Sequence, residues 1–134
     1  MTRSFRTLAI TTSALCIALS ASWLLAPNIW LELWGVSGYT GAAGLVARRA
    51  AALFLGFAVL LFEARELPPS AGRRAIALGF ATACGALALL GTAELVAGHA
   101  QSGIMLPILT EFTLAVLFGR TLVQHPDRAH PPAS

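Results

Sequence analysis

Apolar residues run through this chain in four long stretches, with none of the strict alternation expected of a half-buried strand. Residues 7–26, 41–64, 73–98 and 103–123 are the stretches, and each approaches or exceeds the ~20 mostly apolar positions that cross a hydrocarbon core. Helix breakers separate them: Pro27-Asn28, then Pro68-Pro69-Ser70, then Gly98 to Gly103, and finally Pro126 beyond the last stretch. No period-2 segments bounded by turn signals occur, which argues against a β-barrel. The pattern predicts an all-α protein: an antiparallel four-helix transmembrane bundle filling one domain over residues 1–124. The remainder, residues 125–134 ("HPDRAHPPAS"), reads as a disordered polar tail.

The first stretch has a rival reading. "MTRSFR" followed by an apolar core resembles a secretory signal peptide, with Ala18-Leu19-Ser20 as a weak cleavage site. The core is long, however, and continues through Trp23-Leu24-Leu25, so a retained span is the expectation.

Composition sharpens the class. Of 134 residues, 57% are hydrophobic and only 11% charged, against roughly a quarter charged in a soluble domain. Mean hydropathy is +0.74. So few charges cannot cover a surface facing water, and the bilayer is the expected solvent. All nine basic residues are arginine, and the net charge is +3. They are scattered at helix ends and form no solvated basic face, so nucleic acid is not an expected partner. Cys16 and Cys84 lie mid-way along apolar stretches without a Cys-x-x-Cys pair or a histidine at metal spacing, and read as small buried apolar residues.

Arginine placement predicts direction. Arg3 and Arg6 precede the first span, Arg65, Arg73 and Arg74 lie around the connection between the second and third, and Arg120 and Arg128 follow or end the fourth. All seven fall on one side if both termini are cytoplasmic, while the opposite loops carry Glu32 and His99 but no arginine. A multi-pass protein of the bacterial inner membrane is the expectation. Trp23, Trp30, Trp34 and Tyr39 collect towards the opposite end as interfacial anchors, and "PNIWLELWGVSGY" reads as a short segment lying along that surface.

Two arginines break the rule. Arg48 and Arg49 stand inside "GLVARRAAALFLGF", about 10–12 Å below the outer end of the second span at 1.5 Å per residue. Glu94 on the third span and Glu111 on the fourth fall in the same leaflet. An isolated charge at the bilayer centre costs at least ~2.5–3.5 kcal/mol, so an intramembrane cluster of Arg48, Arg49, Glu94 and Glu111 is expected. One arginine should meet Glu111, and the other should snorkel to the headgroups, because neighbouring helical residues diverge by about 100°. Such a cluster reads as an ion-pair lock, as a polar cavity for a ligand or headgroup, or as part of an ion or proton pathway. The inner half offers little continuation: Thr82, Thr110 and Thr113 are its hydroxyls, and threonine often bonds its own helix backbone. Pro107, four residues before Glu111, is expected to kink the fourth helix. Glu63, Arg65 and Glu66 read as a solvated helix terminus.

Helices in lipid associate through small residues. Ala43, Ala47, Ala51, Ala52 and Gly56 on the second span, with Ala77, Ala81 and Gly85 on the third, predict that these two form a tight pair across the "RELPPSAGRR" turn. A homodimer or larger membrane complex is a further possibility through a remaining stripe.

Pro27-Asn28, a glycine-containing outer loop, Arg48-Arg49, "LGFAVLLFEAR", "PPSAGRRAIALG" and a short fourth helix together resemble the small four-helix bacterial membrane proteins of DoxX-like or similar type. The resemblance covers nearly the whole chain and is one of layout. It implies the four-helix topology, and no residue here carries over the redox or sulfur chemistry associated with DoxX relatives. The histidines His99, His125 and His130 lack intramembrane spacing for haem or metal, and no cofactor is expected. No Ser/His/Asp or Cys/His constellation occurs, so the expected role is non-enzymatic: an accessory or scaffold bundle, or one binding a hydrophobic ligand. The alternative is a small ion- or proton-coupled transporter or channel-forming oligomer.

Overall fold

The computed structural model describes residues 2–36 and 41–123. Tyr39, Pro126, Arg128 and the predicted tail lie outside the described residues. Among those described the chain is helical throughout its elements, with no strand: α1 (Thr2–Leu25), α2 (Pro27–Leu33), α3 (Gly41–Ala64), α4 (Ala71–Val96), a 3₁₀ turn (Ser102–Ile104) and α5 (Met105–Val123). Four of these segments, Ser4–Leu25, Gly41–Ala64, Ala71–Val96 and Ser102–Val123, are long and apolar enough to cross a membrane. The protein is an all-α four-helix bundle of the multi-pass membrane type.

Local chemistry sets the boundaries. The first helix starts at Thr2 instead of residue 7, because nothing between Thr2 and Leu25 breaks a helix even where Arg6 and the hydroxyls dilute hydropathy. Pro27 then opens α2 at the first helical position, where its missing N–H costs nothing. Leu67, held by Pro68 away from helical dihedrals, follows the end of α3. Ser70 caps α4 by accepting the backbone N–H of Arg73 at 3.3 Å.

Packing follows a seam of small residues at three- and four-residue intervals. On α1 the buried positions are Phe5, Ala9, Thr12, Ser13, Cys16, Ser20 and Trp23. On α3 they are Gly44, Ala47, Ala51, Ala58, Leu61 and Ala64. The two seams meet: the Ser13 hydroxyl donates to the Ala58 carbonyl at 2.8 Å, and Trp23 packs with Ala47 and Ala51. Similarly α4 lies along α5, with Gly85 facing Ala115 and Gly91 facing Ile108.

The predicted partnership of the second and third spans is therefore corrected. The close pairs are α1 with α3 and α4 with α5, whereas α3 and α4 touch only sparsely despite their short connection. Where α3 and α4 do meet, two large rings stand between them, Phe57 and Phe80, edge to face at 5.5 Å. Small residues are what allow backbones to approach in lipid, and Ala47 and Ala51 spend that capacity on α1.

One core joins the four helices: Phe5, Ala9 and Cys16 from α1, Ala58 and Leu61 from α3, Ala77, Phe80 and Cys84 from α4, and Phe118 from α5. Both cysteines are free and buried, as small apolar residues should be. Outside this core the surface is apolar. Leu53, Leu89 and Val46 are each about two-thirds or more exposed, and Phe118 alone is buried in α5. That much contiguous apolar surface suits lipid and not water.

Candidate functional site

Ion pairs, a cation–ring contact and a tryptophan cluster stand at the two ends of the bundle. At one end, Arg6 near the start of α1 donates from Nε to Oε1 of Glu66, beyond α3, at 2.8 Å. Arg65 approaches the same oxygen at 3.7 Å and lies 3.6 Å over the Phe62 ring. The Arg6 hydrogen bond, against an opposing desolvation and with the positive charges of Arg6 and Arg65 beside it, holds the Glu66 carboxyl below its ordinary range. Deeper in, Arg73 is 6% exposed, with its guanidinium 4.0 Å over the Phe5 ring. Phe5 in turn meets Phe118 edge to face at 6.3 Å.

At the other end the three tryptophans form a cluster. Trp23 stacks on Trp30 at 6.0 Å and leans on Trp34 at 5.0 Å, while Trp30 donates from Nε1 to the Ser22 hydroxyl at 3.2 Å. Trp30 and Trp34 are half-buried, whereas Trp23 is 8% exposed. The three tryptophans among the expected anchors therefore gather at one end, but Trp23 fastens α2 to the bundle and presents little surface to headgroups. The end of α2 also reaches across to the connection between α4 and α5, where the Gln101 N–H donates to the Trp34 carbonyl at 2.8 Å. That crossing needs glycine twice. Gly35 takes a left-handed φ of +85°, and a side chain on Gly103 would collide with the Leu33 carbonyl.

Between the ends lie the residues predicted to form an intramembrane cluster, and the structure does not bring them together. Among the described residues no ion pair joins Arg48 or Arg49 to Glu94 or Glu111. Both arginines are exposed on α3, so neither faces the bundle interior. Glu94 is taken by His99, whose Nδ1 lies 2.9 Å from Oε2. Glu111 is half-buried on α5 and has no hydrogen bond or ion pair among the described residues. The geometric reason is the seam: Ala47 and Ala51 point into the α1 contact, which turns Arg48 and Arg49 off it.

Pro107 is the third residue of α5, within the first turn. A backbone N–H there has no partner inside α5, so the proline costs the helix no hydrogen bond, and the 3₁₀ turn Ser102–Ile104 leads directly into this first turn. Among the described residues no group of histidine, cysteine or acidic side chains could hold a metal ion.

No protein-family model, curated protein or solved structure matches the chain. The functional reading rests on the geometry.

Sequence reasoning missed the Arg6–Glu66 bridge and the burial of Arg73. The bridge joins residues from two separate elements, and no local spacing announces it. The burial had a signal: Arg73, Ala77, Phe80, Cys84 and Ala88 repeat at intervals of four, three, four and four along one face of α4.

Proposed function

We propose that the protein is a non-enzymatic accessory bundle of the bacterial inner membrane that docks another membrane-spanning chain through Arg48 and Arg49. The observation carrying this reading is that both arginines are exposed on an otherwise apolar span, with no ion pair to a carboxylate among the described residues. Their flanks, Leu45, Val46 and Leu53, are 61–68% exposed and apolar. Unpaired arginines at this depth are unfavourable, and acidic groups on a neighbouring span would remove much of that cost. Snorkelling to headgroups would remove part of it.

The same reading takes the arginine-bearing end as cytoplasmic and the tryptophan-bearing end as outer, with helices alternating in direction. Contact order supports antiparallel threading: Arg6 lies by Glu66, Ser13 by Ala58, and Trp23 by Ala47. The DoxX-like layout belongs to this proposal and rests on motif order alone.

The test is assembly size. Membranes containing the full chain are solubilised in a mild detergent, and the assembly is sized beside that of the Arg48→Gln/Arg49→Gln variant, with helicity and melting checked on both. The proposal expects a wild-type assembly well above the 14.0 kDa chain, released by the double substitution while the fold is retained. A lone wild-type chain, or an assembly indifferent to the substitutions, would overturn it.

A second reading, a small ion- or proton-coupled transporter, has one observation behind it: the half-buried, unpaired Glu111 on α5. Glu111→Gln separates the two, because abolished flux with intact folding belongs to a pathway and not to a docking bundle.

A further inference from the structure

Like α3 and α4, the helices α1 and α5 touch at few positions. At their arginine-bearing ends α1 and α5 leave an open groove of about 560 Å³. Ser4, Thr7 and Thr11 line one wall, and Arg120 and Thr121 the other. The spacing of the α1 residues, three and then four, puts all three hydroxyls on one helix face. Leu8 and Leu117 supply the apolar part of the lining.

This combination is unusual for a surface facing lipid, most of which is leucine, valine, alanine and phenylalanine apart from Arg48, Arg49 and Thr113. Of the arginines at this end, Arg6, Arg65 and Arg73 lie on a carboxylate or an aromatic ring, whereas Arg74 and Arg120 have neither among the described residues, and of these two Arg120 lines the groove. The hydroxyls are oriented too: Thr11 donates to the Thr7 carbonyl at 3.0 Å, and Thr121 to the Phe118 carbonyl at 2.7 Å. With their protons committed to the helix, these oxygens are left as acceptors.

We infer that the groove is a binding site for one anionic glycerophospholipid, its phosphate on Arg120, its headgroup hydroxyls on the threonine oxygens and an acyl chain along Leu8 and Leu117. Each part of the lining has a counterpart in such a molecule. A guanidinium offers several N–H donors to phosphate oxygens in a charge-assisted pair. Threonine oxygens acting as acceptors suit a headgroup that carries its own O–H donors, such as glycerol. An apolar strip leading into the span suits a chain. Arg120 lies in the last turn of α5, at headgroup level, while Thr11 and Leu8 lie one to two turns further along α1 from Ser4. The inference needs only a membrane-spanning bundle, and it is independent of orientation and of the docking role given to Arg48 and Arg49.

The experiment uses the full chain purified in detergent, with lipid retention followed by native mass spectrometry during titration with phosphatidylglycerol, phosphatidylcholine or inorganic phosphate. One phosphatidylglycerol should bind preferentially over phosphatidylcholine. Arg120→Gln should weaken it about tenfold, the scale of one charge-assisted contact. Arg74→Gln, at the same end but outside the groove, should change nothing. Thr11→Phe fills the groove while keeping the charge, and should also weaken the lipid. Helicity and melting are recorded for every variant. Equal binding of both lipids, retention unchanged in Arg120→Gln, or competition by millimolar inorganic phosphate would overturn the inference, the last pointing to a free-anion site.

Discussion

The two ends of the bundle solve one problem with different chemistry. Each must hold the α1/α3 pair against the α4/α5 pair in a solvent where apolar contact gives little net drive. The tryptophan-bearing end uses backbone: the Gln101 N–H on the Trp34 carbonyl, and a glycine where α2 crosses the α4–α5 connection. The arginine-bearing end uses side chains: Phe118 between Phe5 and Phe80, and Arg73 over Phe5, while Arg6 on Glu66 ties α1 to the end of α3 within one pair. The difference teaches which contacts are fragile. A backbone crossing tolerates no added atom, whereas a ring cluster fails by losing atoms, and an exposed ion pair matters little.

Substitutions at each end sharpen that contrast. Phe118→Ala should be the most damaging, because Phe118 is 0% exposed and its removal leaves a ring-sized void, at about 3–5 kcal/mol. Unfolding in mixed micelles would measure it, and a loss below about 1 kcal/mol would mean that the ring cluster does not join the pairs. Gly103→Val should follow at roughly 1–3 kcal/mol, since its side chain must displace the Leu33 carbonyl. That change should also disturb the tryptophan cluster, read by fluorescence, while Phe118→Ala leaves the tryptophan signal in place.

The smallest effect belongs to Glu66. Its carboxyl titrates below the ordinary range in the folded protein because of Arg6 and Arg65. Its contribution is therefore fully present above the unfolded-state value and is lost as pH falls through the lower folded one. Both partners are more than half exposed, so the gain is slight. Glu66→Gln should melt marginally below wild type at neutral pH, and the gap should close under acid. A gap that widens with acid would reverse the assignment.

How much of this was legible in the sequence follows from what encodes each feature. The four spans were readable because length and apolar content carry them, as Gly41–Ala64 illustrates: its predicted range matched. The tryptophan end and the buried cysteines followed from position within those spans. Helix partnership was not readable. A span is apolar on its lipid face and on its protein face alike, so the contrast that points a soluble helix inward is missing. Ala47 and Ala51 were recognised as a contact stripe, yet nothing in their spacing names α1 over α4. The misplaced ion-pair cluster has the same origin, since leaflet depth alone put Arg48, Arg49, Glu94 and Glu111 together.

Whether Arg48 and Arg49 lack an internal counter-charge is the question on which the docking proposal turns, and a double-mutant cycle answers it. Unfolding free energies of the isolated chain in micelles are measured for wild type, Arg48→Gln/Arg49→Gln, Glu111→Gln and their combination. The account predicts additive effects, with coupling within about 0.5 kcal/mol of zero. A coupling of about 1 kcal/mol or more would place guanidinium and carboxylate in contact within one chain, and would contradict it.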